Sequence, residues 1–97
     1  MGGKLNFLHQ LESIIAQRAA DNVPGSYVSQ VMQQGLDRLL KKIGEEAGEV
    51  IIAAKNGDKD ELLHESADLI FHLMLVLQHQ GVSLNDVVAV LTDRHHK

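Results

Sequence analysis

Apolar residues recur at helical spacing from the start of the chain. Leu5, Leu8, Leu11, Ile14, Ile15 and Ala19 predict a first helix that stops before Asn22-Val23-Pro24-Gly25, a cluster that favours turns. Ser26 suits the N-cap of a short helix through Tyr27, Val28, Val31 and Met32, which Gly35 interrupts. From Leu36 to Ala54 the apolar positions 36, 40, 43, 47, 50 and 54 alternate in steps of four and three, a continuous seam along a long helix. Asn56-Gly57 ends it by allowing a left-handed residue. Gly44 and Gly48, one turn apart, cost helix propensity and suggest either a close helix contact on that face or simple tolerance. A fourth helix is expected from about Asp58 to Gln80, stopped by Gly81, and its segment Leu69 to Leu77 is apolar nearly all round, so burial on most sides is expected. Ser83 with Asp86 three residues on starts a last helix, with Leu84, Val87, Val88 and Leu91 on one face. The end, His95-His96-Lys97, is expected to fray.

This is the pattern of a small all-α bundle of four to five helices, and 97 residues with no linker or repeat are read as one domain, 1–97. Only three of the residues are Phe, Tyr or Trp, so the core is built from Leu, Ile, Val, Ala and Met, which suits packed helices. A domain this small buries only roughly 60 to 70% of its unfolded surface and is marginal as a monomer. The net charge of −4 without a basic run argues against nucleic-acid binding, and the absence of cysteine excludes a disulfide scaffold and thiol chemistry. Met1 to Leu11 lacks a signal-like apolar stretch and Leu69 to Leu77 is too short to span a bilayer, so a soluble cytoplasmic protein with no membrane partner is expected.

The candidate chemistry lies in acids on the two long helices. Glu46 and Glu49 fall on neighbouring rows one turn apart, with Glu46 beside the apolar seam and Glu45 pointing further out. On the next helix Glu61, Glu65, Asp68 and His72, at steps of four, three and four, form one polar stripe on a segment that is otherwise becoming apolar. Acids on helices are usually solvated and locally paired, and for Lys42 with Glu46 that reading is adequate. It fits Asp68 and His72 less well, because an unpaired carboxylate in an apolar segment is expensive to bury. Two helices joined by a turn pack antiparallel, so Glu46 and Glu49 can face Glu65 and Asp68 across the interface. Like charges so gathered are relieved by a hard divalent cation, and an all-carboxylate set without cysteine suits Mg²⁺ or Mn²⁺ better than Zn²⁺. A polyphosphate would add further oxygen ligands. His72 by itself is read as a hydrogen-bonded core histidine and is not assigned the chemistry. Arg38, Lys41 and Lys42, about one turn before the acids, are solubilising or phosphate-binding cations. Ser26, Tyr27 and Ser29 read as loop and cap residues.

The run Lys41-Lys42-Ile43-Gly44-Glu45-Glu46-Ala47-Gly48-Glu49-Val50, followed by Glu65-Ser66-Ala67-Asp68-Leu69-Ile70-Phe71-His72, resembles the signature of the all-α nucleotide pyrophosphohydrolase superfamily that includes MazG. Ser26-Tyr27-Val28, Gly35, the Lys-Lys-Ile-Gly-Glu-Glu-Ala run and Asp-Leu-Ile-Phe-His are more narrowly similar to the phosphoribosyl-ATP pyrophosphatase family, over most of the chain. Phe71 stands where a Tyr is as common. The resemblance implies Mg²⁺-dependent cleavage of phosphoribosyl-ATP to phosphoribosyl-AMP and pyrophosphate, the second step of histidine biosynthesis. It implies Glu46, Glu49, Glu65 and Asp68 as metal ligands, Glu45 as the residue that orients or deprotonates water, and Lys42 with Arg38 and Lys41 as phosphate contacts. It also implies a homodimer or higher assembly that completes the bundle.

Three other readings stay open on the residues. A house-cleaning nucleoside triphosphate pyrophosphohydrolase uses the same acids. A di-iron carboxylate protein needs two Glu-x-x-His steps, whereas only Glu61-Leu62-Leu63-His64 is present. A non-catalytic dimerisation module would not depend on the acids for metal binding.

Overall fold

The computed structural model describes residues 3–95 and, among them, helices without strands. A 3-10 turn at Lys4–Asn6 leads into α1 (Phe7–Asp21), followed by α2 (Tyr27–Gln34), α3 (Leu36–Asn56), α4 (Lys59–His79) and α5 (Leu84–His95). Of the end expected to fray, His95 is the last residue of α5, with its Nδ1 2.9 Å from the Leu91 carbonyl, while His96 and Lys97 lie outside the described residues. No helix among the described residues is long and apolar enough to cross a membrane.

Local chemistry sets the breaks. Asn22 takes the left-handed conformation at the end of α1, and its N–H donates to the Arg18 carbonyl at 3.2 Å. The buried Ser29 then ties the loop together: its hydroxyl donates to the Arg18 carbonyl at 2.7 Å and accepts from the Val23 N–H at 2.8 Å. Ser26 caps α2 by accepting from the Ser29 N–H at 3.2 Å. Gly35, at φ 96 and ψ 179, separates α2 from α3 in a conformation essentially restricted to glycine. Gly57 (φ 69) closes α3 and Asp58 opens α4 at once, its carboxylate accepting from the Glu61 N–H at 3.0 Å. So tight a connection folds α3 and α4 into an antiparallel hairpin, the dominant packing unit of the chain. Ser83 and Asp86 form a reciprocal capping box at the start of α5, each side chain accepting the other's N–H at 3.0 Å.

The core gathers Ile15, Val28, Val31, Leu39, Met74 and Leu75, one contribution or two from each of α1 to α4, with Leu11, Phe71 and Leu84 packed against it. Leu39 and Leu75 are fully enclosed (0% exposed), because α1 and α2 lie across that end of the hairpin. Glu12 of α1 reaches the other way, accepting from the Leu84 N–H at 2.8 Å and pinning the start of α5.

The structure departs from the periodicity in three places. The Leu69 to Leu77 segment is buried or half-buried at seven of its nine positions, but one stripe stays open: Ile70 is 46% exposed and Leu73 is exposed to a similar degree. The reason is that α1 and α2 cover one face of α4 and α3 a second, while no element among the described residues packs extensively on the third. Gly44 and Gly48 make no close helix contact, since a β-carbon at either would meet nothing within 4 Å. On α5 Leu84 packs against the core and Val87 is half-buried, while Val88 and Leu91 of the same expected face are exposed.

Candidate active site

The α3–α4 hairpin turns sequence spacing into a cluster of acids. Carboxylate oxygens of Glu46, Glu49 and Glu65 all lie within 4.8 Å of one another. Glu46 is only 6% exposed, held where α3 meets the core, whereas Glu49 is exposed and Glu65 half-buried. Hydrogen bonding toward the facing Glu49 carboxyl, then desolvation and the charges of Glu49, Glu46 and Glu61, push Glu65 up to about 7. Burial pushes Glu46 up as well, reinforced by Glu49 and Asp68 and opposed by Lys42 and His72. Lys42 is the nearby cation, with its Nζ 3.6 Å from Glu45 and 3.8 Å from Glu46. Three acids against one lysine leave the cluster short of positive charge, and the upward shifts of Glu46 and Glu65 follow that deficit.

Asp68 stands outside this group of three. It is exposed on the next turn of α4, near enough for its charge to act on Glu46. The expectation that it sits in an apolar segment with little water-facing surface is therefore corrected, for the same reason that Ile70 is open. Glu45 points outward with a side chain 46% exposed. Arg38 and Lys41 are exposed on α3, away from the apolar seam.

His72 is buried and doubly hydrogen-bonded. Its Nδ1 lies 2.8 Å from the Asp68 carbonyl and its Nε2 2.8 Å from the Tyr27 hydroxyl. His64 is exposed, bonded to the Asp60 carbonyl and outside the acid group, so the described residues supply no second Glu-x-x-His step of the kind a di-iron site needs.

Two residues were not singled out from sequence as part of a site. Glu61 raises Glu65 and, with Glu49, Ile52, Ala53, Asn56 and Glu65, lines an open cleft of ≈ 150 Å³ at the turn end of the hairpin. Its place on the polar stripe at i, i+4 from Glu65 was the available signal. Tyr27 reaches His72 across 45 positions, and nothing local to it announces that bond.

All the donors gathered here are carboxylate oxygens, a hard set that fits a divalent cation such as Mg²⁺ or Mn²⁺. The arrangement suits the binding of a metal–polyphosphate, with Lys42 able to turn from its glutamates to an incoming anion.

A family model described as Phosphoribosyl-ATP pyrophosphohydrolase matches residues 8–95. The chain is 48% identical over 91 residues to a phosphoribosyl-ATP pyrophosphatase of Leptospira biflexa, covering 94% of this chain and 99% of the relative. It is 47% identical over 92 residues to the histidine biosynthesis bifunctional protein HisIE of Bacillus subtilis, and 50% identical over 93 residues to that of Photobacterium profundum. These matches cover 95% and 96% of this chain but 44% and 45% of the bifunctional proteins, so the chain spans less than half their length.

Proposed function

The chain belongs to the phosphoribosyl-ATP pyrophosphohydrolase family, and from that membership we propose that it is a cytoplasmic, Mg²⁺-dependent enzyme that hydrolyses phosphoribosyl-ATP to phosphoribosyl-AMP and pyrophosphate in histidine biosynthesis. The observation that carries the reading is the convergence of Glu46, Glu49 and Glu65, from two helices, within 4.8 Å. These three hold the cation, and Asp68, one turn along α4, joins them. When bound there, Mg²⁺ supplies charge neutralisation, polarisation of phosphoryl oxygens and a lowered pKa for water.

The chain's own side chains do the remainder. Glu45, outside the tight group and open to solvent, accepts a hydrogen bond from the attacking water and takes its proton as the new oxygen–phosphorus bond forms and the bond to the pyrophosphate group breaks. Lys42, already between Glu45 and Glu46, neutralises charge on the phosphates, with Arg38 and Lys41 extending the positive surface one turn back. Glu65, raised to about 7, would have to be ionised to serve as a ligand, so cation binding there would compete with its proton.

A second copy of the chain completes the bundle. Leu40, Ile51, Leu63, Ile70 and Leu73 are exposed on the α3–α4 hairpin, apolar side chains that a second copy would cover. Sedimentation of the purified chain as a dimer or larger species supports this, and a monomer at micromolar concentration contradicts it.

The test of function is a substrate panel. Purified chain with Mg²⁺ is expected to release pyrophosphate from phosphoribosyl-ATP in preference to the ordinary nucleoside triphosphates. Preference for the ordinary triphosphates overturns the assignment in favour of a house-cleaning enzyme.

A further inference from the structure

The chain has two phenylalanines, one tyrosine and no tryptophan, and two of these three rings are packed together beside the acids. Tyr27 lies with its ring centroid 6.2 Å from Phe71 at an interplanar angle of 32°, and 5.6 Å from His72 at 81°. Phe71 and His72 meet edge to face at 5.4 Å. The ring is fixed at both ends. Tyr27 is the first residue of α2, anchored by the Ser26 cap, and its hydroxyl bonds His72 Nε2. The Asp68 carbonyl only accepts, so Nδ1 of His72 donates to it, which fixes the ring and leaves Nε2 directed at the tyrosine hydroxyl. Despite this bracing, Tyr27 remains 43% exposed. A buried histidine is thus used to hold an aromatic ring at the surface, one ring-width from the turn that carries Asp68.

We propose that Tyr27, braced by Phe71 and His72, is the platform on which the purine base of the nucleotide stacks while its phosphates are held at Glu46, Glu49, Glu65 and Asp68. This rests on the pyrophosphohydrolase reading and extends it to the base, for which the acids and lysines offer no recognition. A base has two large π-faces and binds a pre-oriented aromatic ring with little ordering cost. The large apolar side chains exposed on α3 and α4 are aliphatic, and Phe7, the remaining aromatic, is at the start of α1. The Tyr27–His72 bond also joins α2 to the acid-bearing turn of α4, so base binding and metal binding share one rigid support.

The sole tyrosine makes a built-in reporter, since intrinsic emission of the whole chain comes from this ring. Titration with AMP in the presence of Mg²⁺, corrected against free tyrosine for light absorbed by the nucleotide, is expected to quench that emission. Pyrophosphate and ribose 5-phosphate under the same conditions are expected to leave it unchanged. Tyr27→Leu should raise KM for phosphoribosyl-ATP by roughly ten- to a hundredfold, the scale of one lost base–aromatic stack, with kcat at saturation and Mn²⁺ affinity little altered. Tyr27→Phe, which keeps the ring, should restore most of the KM. Absence of quenching by AMP, equal quenching by pyrophosphate, or an unchanged KM in Tyr27→Leu overturns the proposal, as does a loss of Mn²⁺ binding in that variant, which would make the ring a support for the acids. The quenching arm needs no turnover. Failure of the wild-type chain to hydrolyse phosphoribosyl-ATP counts against the enzymatic assignment, and AMP-specific quenching still decides the base platform separately.

Discussion

The α3–α4 hairpin has two ends that fold under opposite terms. The antiparallel register that sets Glu49 against Glu65 brings Leu39 level with Leu75 further along, so the same two helices present a fully enclosed leucine pair at one end and a set of carboxylates at the other. The leucine end is satisfied by folding alone, because α1 and α2 cover it and dispersion and apolar burial need no outside partner. The acidic end is not satisfied, because folding brings like charges together and raises both Glu46 and Glu65. Stability is concentrated where the chain closes on itself, and chemistry where it leaves a deficit.

The contrast breaks most severely at the leucine end. Leu75→Ala leaves a cavity in the enclosed core and should cost about 2–5 kcal/mol of unfolding free energy in denaturant titration. The molecules that remain folded should bind Mn²⁺ as before. Glu49→Gln acts in reverse: helicity by circular dichroism should be kept, while pyrophosphate release from phosphoribosyl-ATP falls by at least about a hundredfold, the upper range seen when even an outer partner of a metal ligand is lost. A variant with near-normal turnover would remove Glu49 from the ligand set.

A pH series sharpens the comparison. Glu65 is raised from 4.5 to about 7, so the folded chain binds more protons than the unfolded one between those values. The stabilising proton is fully present below about pH 4.5 and lost as pH rises through about 7, so the metal-free chain should melt progressively lower across that window. Mg²⁺ substitutes for the proton and should therefore raise the melting temperature more at about pH 8 than at about pH 6. A metal effect independent of pH would contradict the raised Glu65 as a ligand. The smallest effect is expected far from both ends, at the α5 capping box: Ser83→Ala should cost about 1 kcal/mol without changing KM.

Much of the molecule is legible without coordinates because much of it is local. The Ser26 and Ser83 caps, the glycine stops at Gly35 and Gly57 and the seam of α3 all depend on residues within a turn or two of one another. The facing of Glu46 and Glu49 toward Glu65 follows from helix period plus a tight connection, which spacing also encodes. Periodicity failed where it had to, at Asp68, Ile70 and α5. It identifies an apolar face but not whether a neighbour from the same chain covers it.

What the amino-acid order determined by itself was the set of helices, their boundaries and the row on which each acid stands, since these arise from hydrogen bonds and side-chain spacing a few residues long. Only tertiary packing decided that Glu46 is enclosed while Asp68 is open, that Glu65 is pushed up to about 7, that Glu12 caps α5 and that Tyr27 is held by His72. Burial, pKa and contacts between distant positions depend on which surfaces meet in space, and that is a property of the whole packed arrangement rather than of any segment in it.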